Sequence, residues 1–351
     1  MDNRTVERVK KSLKDCRIGP ETIALMMTKN CNLNCLYCRG GRTFFSSSGE
    51  DISTQELFDL FKCAADFQVQ DINLGGFLGE PFCRKDILEI IREIKRLGLR
   101  GTMTTNGSFL NSAVAKMMSD CGWDIMRISL DSADEEIQHA LRPAINQKPY
   151  FQGIVEFLDT LQQIGSKIRV ILNVVISKRN FRSLPGLVNF ANRYKNIESL
   201  DILKLLNMGL VNYEDLRLNA EEEGEFKSIL AALKNEKKLS SQGSWGESPV
   251  NGNNGLQNKD EENAGGRCFS GESRCFVNYY ILSIDSDGYI MKCPQYQLSI
   301  ERLNIKKIPL STLWKNELLQ FRQNLSKNAP CYQTCCTILK KENKLISDAL
   351  S

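Results

Sequence analysis

Short apolar runs alternate with longer amphipathic segments over more than half of this 351-residue chain. Residues 22–28, Thr-Ile-Ala-Leu-Met-Met-Thr, are β-branched and apolar and read as a buried strand. Then Ser53-Thr-Gln-Glu56 has the form of a capping box, in which a hydroxyl and a carboxylate reciprocally satisfy free backbone amides. Leu57, Leu60, Phe61 and Ala64 give the helix that follows, to about residue 69, one apolar face. The unit repeats with a strand at 71–74, a helix at 86–97 with Ile87, Ile90, Ile91 and Ile94 inward, and a strand at 101–105. Further strands are predicted at 125–130, 168–176 and 200–205, with helices near 111–120, 151–164, 182–194 and 219–236. Six strand-helix pairs imply a parallel sheet, because each crossover returns the chain to the same end. Curled, the sheet gives an α/β fold: a partial (β/α)6 barrel of the TIM type, open at one side, with function at the C-terminal strand ends.

The pattern changes outside that core. Val6, Val9, Leu13 and Cys16 predict a covering helix within residues 1–20, before a core spanning 21–238. Residues 239–266 are rich in Ser, Gly and Asn and read as a linker or loop, either a passive tether or a lid carrying Trp245. Residues 267–351 form a cysteine-rich extension, in which alternating segments flank a turn at Asp285-Ser-Asp-Gly288 and predict a β-hairpin with helices after it.

Charge narrows the classes. Forty-six basic and 42 acidic residues, net +4, are too balanced for a nucleic-acid binder. No window has the apolar length of a membrane helix, and the first residues lack a signal-peptide core, so a cytoplasmic protein is expected. Thirteen cysteines, an odd number with most of them in two distant groups, favour metal ligation in a reducing compartment over disulfides.

The first group is Cys31-Asn-Leu-Asn-Cys35-Leu-Tyr-Cys38, directly after the first strand. A closed structural zinc site needs four ligands, whereas a cubane iron–sulfur cluster on three cysteines keeps one iron open. A zinc site completed by a distant fourth ligand is the competing reading. Polar motifs follow at later strand ends: Gly75-Gly-Phe-Leu-Gly79-Glu80-Pro81, Thr104-Thr-Asn106-Gly107, Ser129-Leu-Asp131-Ser132, His139-Ala-Leu-Arg142-Pro143, and Asn173 in the fifth strand. Singly, each reads as a turn or a helix cap. His139, the only histidine, reads as hydrogen-bonded or solvent-facing, and no nucleophile elbow accompanies it.

Together, the C-x3-C-x2-C loop and this series resemble the radical S-adenosylmethionine (radical SAM) superfamily. The resemblance implies that Cys31, Cys35 and Cys38 hold a 4Fe-4S cluster whose open iron chelates SAM. It also implies that Gly79 and Glu80 receive the methionine ammonium, and that Ser129, Asp131, Asn106 and Asn173 contact the nucleoside. The second group resembles the twitch or SPASM extension of such enzymes. That implies one auxiliary 4Fe-4S cluster on Cys275, Cys293, Cys331 and Cys335, with Cys336 as alternate to Cys335 and Cys268 unassigned; a zinc ribbon would use the same sulfurs. The reaction implied is reductive cleavage of SAM to a 5'-deoxyadenosyl radical, fed by a donor such as flavodoxin or ferredoxin, and hydrogen abstraction from a C–H bond. Oxidation of a small molecule (a sugar or aminocyclitol) or of a peptide is the leading expectation. Alternatives are a redox-neutral epimerase with Cys268 as hydrogen donor and a non-catalytic zinc-stabilised binding protein.

Overall fold

Strands β1 (Thr22–Leu25), β2 (Asp71–Leu74), β3 (Arg100–Thr105), β4 (Ile125–Ser129), β5 (Arg169–Ile176) and β6 (Ile197–Lys204) lie side by side in chain order, every pair parallel. The computed structural model describes residues 3–38, 50–75, 78–205, 212–233, 235–236, 238–240, 275–291, 299–327 and 337–350. Helices Thr54–Asp66, Ile87–Arg96, Ser112–Asp120, Phe151–Gln163 and Leu184–Asn192 return the chain between strands, and Ala220–Ala232 follows β6. The sheet does not close, in agreement with the partial barrel expected. The capping box forms as predicted, with Ser53 accepting from the Glu56 amide and Glu56 Oε2 accepting from the Ser53 amide at 2.8 Å. Ile87, Ile90, Ile91 and Ile94 are all buried.

Alternation along each strand separates two environments. Ile23, Leu25, Ile72, Leu74, Met103, Ile128, Leu172 and Leu200 belong to the main hydrophobic core. Their neighbours Thr102, Thr104, Arg127, Ser129, Asn173 and Asp201 occupy the opposite face and remain half-buried. A closed barrel would fill that face with branched apolar side chains. Here it is polar and accessible.

At one edge, β7 (Leu239–Ser240), at the start of the expected linker, adds to β6 in parallel. The rest of that stretch, 241–266, lies outside the described residues. At the other edge, β8 (Ile281–Ile284) pairs in parallel with β1, and β9 (Tyr289–Met291) and β10 (Ser299–Asn304) continue antiparallel. The predicted hairpin therefore forms, turning through Gly288 at φ +91°, but it is an extension of the barrel sheet and not a detached unit. Just before the hairpin, residues Val277–Tyr280 are helical. All four are buried, and enclosure on every side removes the period that would distinguish helix from strand.

The N-terminal helix Asn3–Lys14 packs against this extension. Val9 joins Phe276, Val277, Tyr279, Tyr280 and Ile346 in a second, smaller core. Arg8 fastens the helix to the base of β1 by donating to the carbonyls of Gly19, Pro20, Phe67 and Gln68.

Candidate functional site

The cysteine loop leaves the C-terminal end of β1 and is paired with the stretch after helix Glu135–Leu141. Asn34 N donates to Pro143 O at 2.8 Å, Leu36 N to Leu141 O at 3.0 Å, and Ile145 N to Asn32 O at 2.9 Å, with Leu33 bridging Ala144. Cys31 and Cys35 are half-buried, and Cys38 is exposed. Two sulfurs face nitrogen donors: Asn106 Nδ2 lies 3.6 Å from Cys31 Sγ, and Arg142 Nη1 lies 4.0 Å from Cys35 Sγ. Burial pushes both thiols up, Cys35 to about 12 against the pull of Arg142, with repulsion from the Cys38 sulfur a smaller cause for each. Such thiols ionise when a cation or cluster compensates the charge.

Loop and turn are fitted to each other at Gly79. Its φ is +74°, and a Cβ there would stand 1.8 Å from Thr28 O, so only glycine lets the turn pass beneath the approach to Cys31. Glu80 N then donates to Asn30 O at 2.8 Å. The Glu80 carboxylate is buried and accepts from Thr105 Oγ1 and Asn106 N, each at 2.7 Å, and from Phe82 N at 3.3 Å. Burial raises it to about 7 despite these donors, so an incoming cation would be favoured there. Gly76 and Phe77 of this turn lie outside the described residues.

Ser129 ends β4 in register with Asn173 on β5, which is in register with Asp201 on β6. Arg127 Nη1 spans the last two, 3.0 Å from Asn173 Oδ1 and 2.8 Å from Asp201 Oδ2, on the polar face of the sheet. Asp131 is placed differently from the nucleoside contact expected of it. Its carboxylate is buried and accepts from Arg142 Nε at 2.7 Å, Arg142 Nη2 at 3.2 Å, Val175 N at 2.9 Å and the Tyr37 hydroxyl. The geometry thus joins Cys31 to Asn106 and Glu80, and Cys35 to Arg142, Asp131 and Tyr37, while Ser129 and Asn173 stand with Arg127. His139 accepts from Tyr150 N at 3.4 Å and packs on the Tyr150 ring, the hydrogen-bonded state expected.

Sequence reading missed Arg127 and Asp201 as site residues. Counting back by two from Ser129 would have found Arg127, whereas Asp201 is reached only through its register with Asn173 across the sheet. Of the second cysteine group, Cys275 is half-buried with Asn343 Nδ2 3.9 Å from its sulfur. Cys268, Cys293, Cys331, Cys335 and Cys336 lie outside the described residues.

Among the described residues, no three His, Cys, Asp or Glu side chains converge on a point that could hold a single ion. The donor set at the loop nevertheless fits an iron–sulfur cluster by its chemistry: three soft sulfur ligands on one backbone segment, two of them facing N–H groups of the kind that tune such clusters.

Known proteins agree with this assignment at the level of the core. The family model described as "Radical SAM superfamily" matches residues 25–191. A probable GTP 3',8-cyclase of Sulfurisphaera tokodaii is 29% identical over 212 residues, 58% of this chain and 60% of the relative. The GTP 3',8-cyclase of Limosilactobacillus fermentum is 27% identical over 82% of each chain. This chain spans about three fifths of the length of the first curated relatives it matches. Among solved structures, Streptococcus suis SuiB bound to S-adenosylmethionine superposes with a TM-score of 0.63 at 18% identity, covering 95% of this chain and 75% of SuiB. Native anSMEcpe with bound AdoMet gives 0.59 at 17%, covering 90% and 86%. These likenesses show a shared fold. The cysteine loop at the first strand end and the core around it fall within residues 25–191, the stretch that matches the radical SAM superfamily model.

Proposed function

We propose that this chain is a radical SAM oxidoreductase acting on a polar substrate held against the accessible face of its sheet. The observation that carries this reading is the cysteine loop, whose Cys31 and Cys35 sulfurs receive Asn106 and Arg142 beside the buried Glu80. Cys31, Cys35 and Cys38 would hold a 4Fe-4S cluster that, when bound, supplies the electron for cleaving SAM and so the radical that takes a hydrogen atom. Glu80 and the turn at Gly79 receive the methionine ammonium, while Ser129, Asn106 and Asn173 orient the nucleoside. Arg127 and Asp201, adjacent to Asn173, present a cation and an anion where substrate hydroxyl, amine or carboxylate groups would be fixed. The C-terminal cysteines, Cys275, Cys293, Cys331 and Cys335 with Cys336 as alternate, suit a twitch- or SPASM-like auxiliary cluster. An electron acceptor of that kind supports net oxidation of a sugar, aminocyclitol or peptide.

A second reading comes from the relatives named GTP 3',8-cyclase, at 27% identity over 82% of the chain in one case. On it, the radical initiates a rearrangement of a nucleotide without net oxidation. Anaerobically reconstituted protein, dithionite and SAM should yield methionine and 5'-deoxyadenosine, with about two clusters per chain by iron and sulfide analysis. Cys35→Ala should abolish the cleavage. Zinc without iron, or no cleavage, would defeat the proposal, and consumption of added GTP to a cyclised product would favour the second reading.

A further inference from the structure

Beneath the cysteine loop lies a charge pair whose fixed orientation the proposed function leaves unexplained. Arg142 and Asp131 meet edge to edge, Nε to Oδ2 at 2.7 Å and Nη2 to Oδ1 at 3.2 Å, with side chains only 8% and 0% exposed. The guanidinium fork has a third end: Nη1 points away from Asp131 and reaches 4.0 Å from Cys35 Sγ. The pair is therefore directional, with its cation toward the sulfur and its anion behind.

Neither charge is free to drift. Asp131 is tied to the sheet by the Val175 amide at 2.9 Å and to the cysteine loop by the Tyr37 hydroxyl. The Arg142 guanidinium lies over the Tyr37 ring, 5.2 Å from its centre. The residues flanking Arg142 are bonded to the loop through the amides of Asn34 and Leu36, and Tyr150 Oη donates to the Arg142 carbonyl at 3.0 Å. A buried ion pair is weak evidence for stability, because desolvation offsets much of the attraction. Its fixed orientation against a sulfur asks for an electrostatic explanation.

We propose that Arg142 and Asp131 are positioning residues that set the reduction potential of the cluster on Cys31, Cys35 and Cys38, Arg142 raising it and Asp131 moderating that rise. This rests on the proposed function of the loop. Reduction adds one electron, and hence one negative charge, to the cluster; a cation at a ligand sulfur stabilises that state, and an anion behind it opposes. Low local dielectric makes the effect larger than a surface charge could produce.

Removing each charge alone therefore shifts the potential in opposite directions. The test is an EPR-monitored titration of anaerobically reconstituted full-length protein with dithionite, following the signal that changes when SAM is added. Arg142→Gln should lower the midpoint by about 59 mV, a tenfold change in the reduced-to-oxidised ratio for one electron. Asp131→Asn should raise it, and Arg142→Lys should stay near wild type. Midpoints that are unchanged, or that move in the same direction in Arg142→Gln and Asp131→Asn, overturn the proposal, since a merely structural pair would disturb loading without a sign reversal. A wild-type protein that takes up no iron overturns the reading of the cysteines, and the proposal with it.

Discussion

The two ends of the same sheet treat charge in opposite ways. At the N-terminal strand ends, Arg100 meets Asp71, Lys95 meets Asp124, and Arg169 meets Glu198, and the more exposed side chain of each pair is 31–53% exposed. At the C-terminal ends, Asp131 and Arg142 are enclosed, and Glu80 is 1% exposed. Surface pairs cost little to form and contribute little. Enclosed charges require aligned donors, and those donors come from the loop carrying Cys31, Cys35 and Cys38 and from the adjoining strand ends. At the C-terminal strand ends, the enclosed charges thus stand where ligands are expected.

Four measurements test that contrast, the largest effect first. Asp131→Ala leaves Arg142 buried without its counterion and should destabilise the protein by roughly 3–5 kcal/mol in urea unfolding. A cost below about 1 kcal/mol would mean that the two ends do not differ. Glu80 comes next. Its folded value, about 7, is raised above the ordinary 4.5, so the folded state holds its proton over an interval where the unfolded state has lost it. The associated stability is fully present below pH 4.5 and is lost as pH rises through about 7. Relative to Glu80→Gln, wild type should therefore weaken by on the order of 3 kcal/mol across that window and run parallel above it.

Glycines give a backbone version of the same test. Gly79 and Gly98 share φ +74°, but a Cβ at Gly98, near the start of β3, meets nothing within 4 Å, whereas one at Gly79 strikes Thr28 O. Gly98→Ala should cost about 1 kcal/mol from the left-handed backbone alone. Gly79→Ala should cost at least twice as much by thermal unfolding; equal costs would show that the turn yields freely. The smallest effect belongs to Arg169→Ala, which breaks an exposed pair and should change stability by about 0–1 kcal/mol.

Local features were legible in the sequence wherever their physics is local. The capping box at Ser53 and Glu56, the isoleucine face of 87–94 and the strand at 71–74 each depend on neighbours a few residues away, and each forms as read. The pairing of β8 with β1 was not legible, because register between strands 259 positions apart leaves no periodic trace in either (Thr22 with Ile281). Asp131 illustrates the same limit within the site. Its motif suggests a side chain facing a ligand, yet Tyr37, Arg142 and Val175, each brought in by a different element, claim the carboxylate. Arg127 was within reach of strand alternation from Ser129, but a charged residue in a parallel strand reads as an exception until its partner across the sheet, Asp201, is known.

The seating of β8 on β1 imposes an order on biosynthesis. Lys29 and Asp287, 2.7 Å apart, are separated by 258 positions, so the first strand leaves the ribosome long before the segment that covers its outer rim. At roughly 5–20 residues per second, that interval lasts on the order of tens of seconds. Throughout it, the nascent chain displays a bare strand edge beside its cysteine loop.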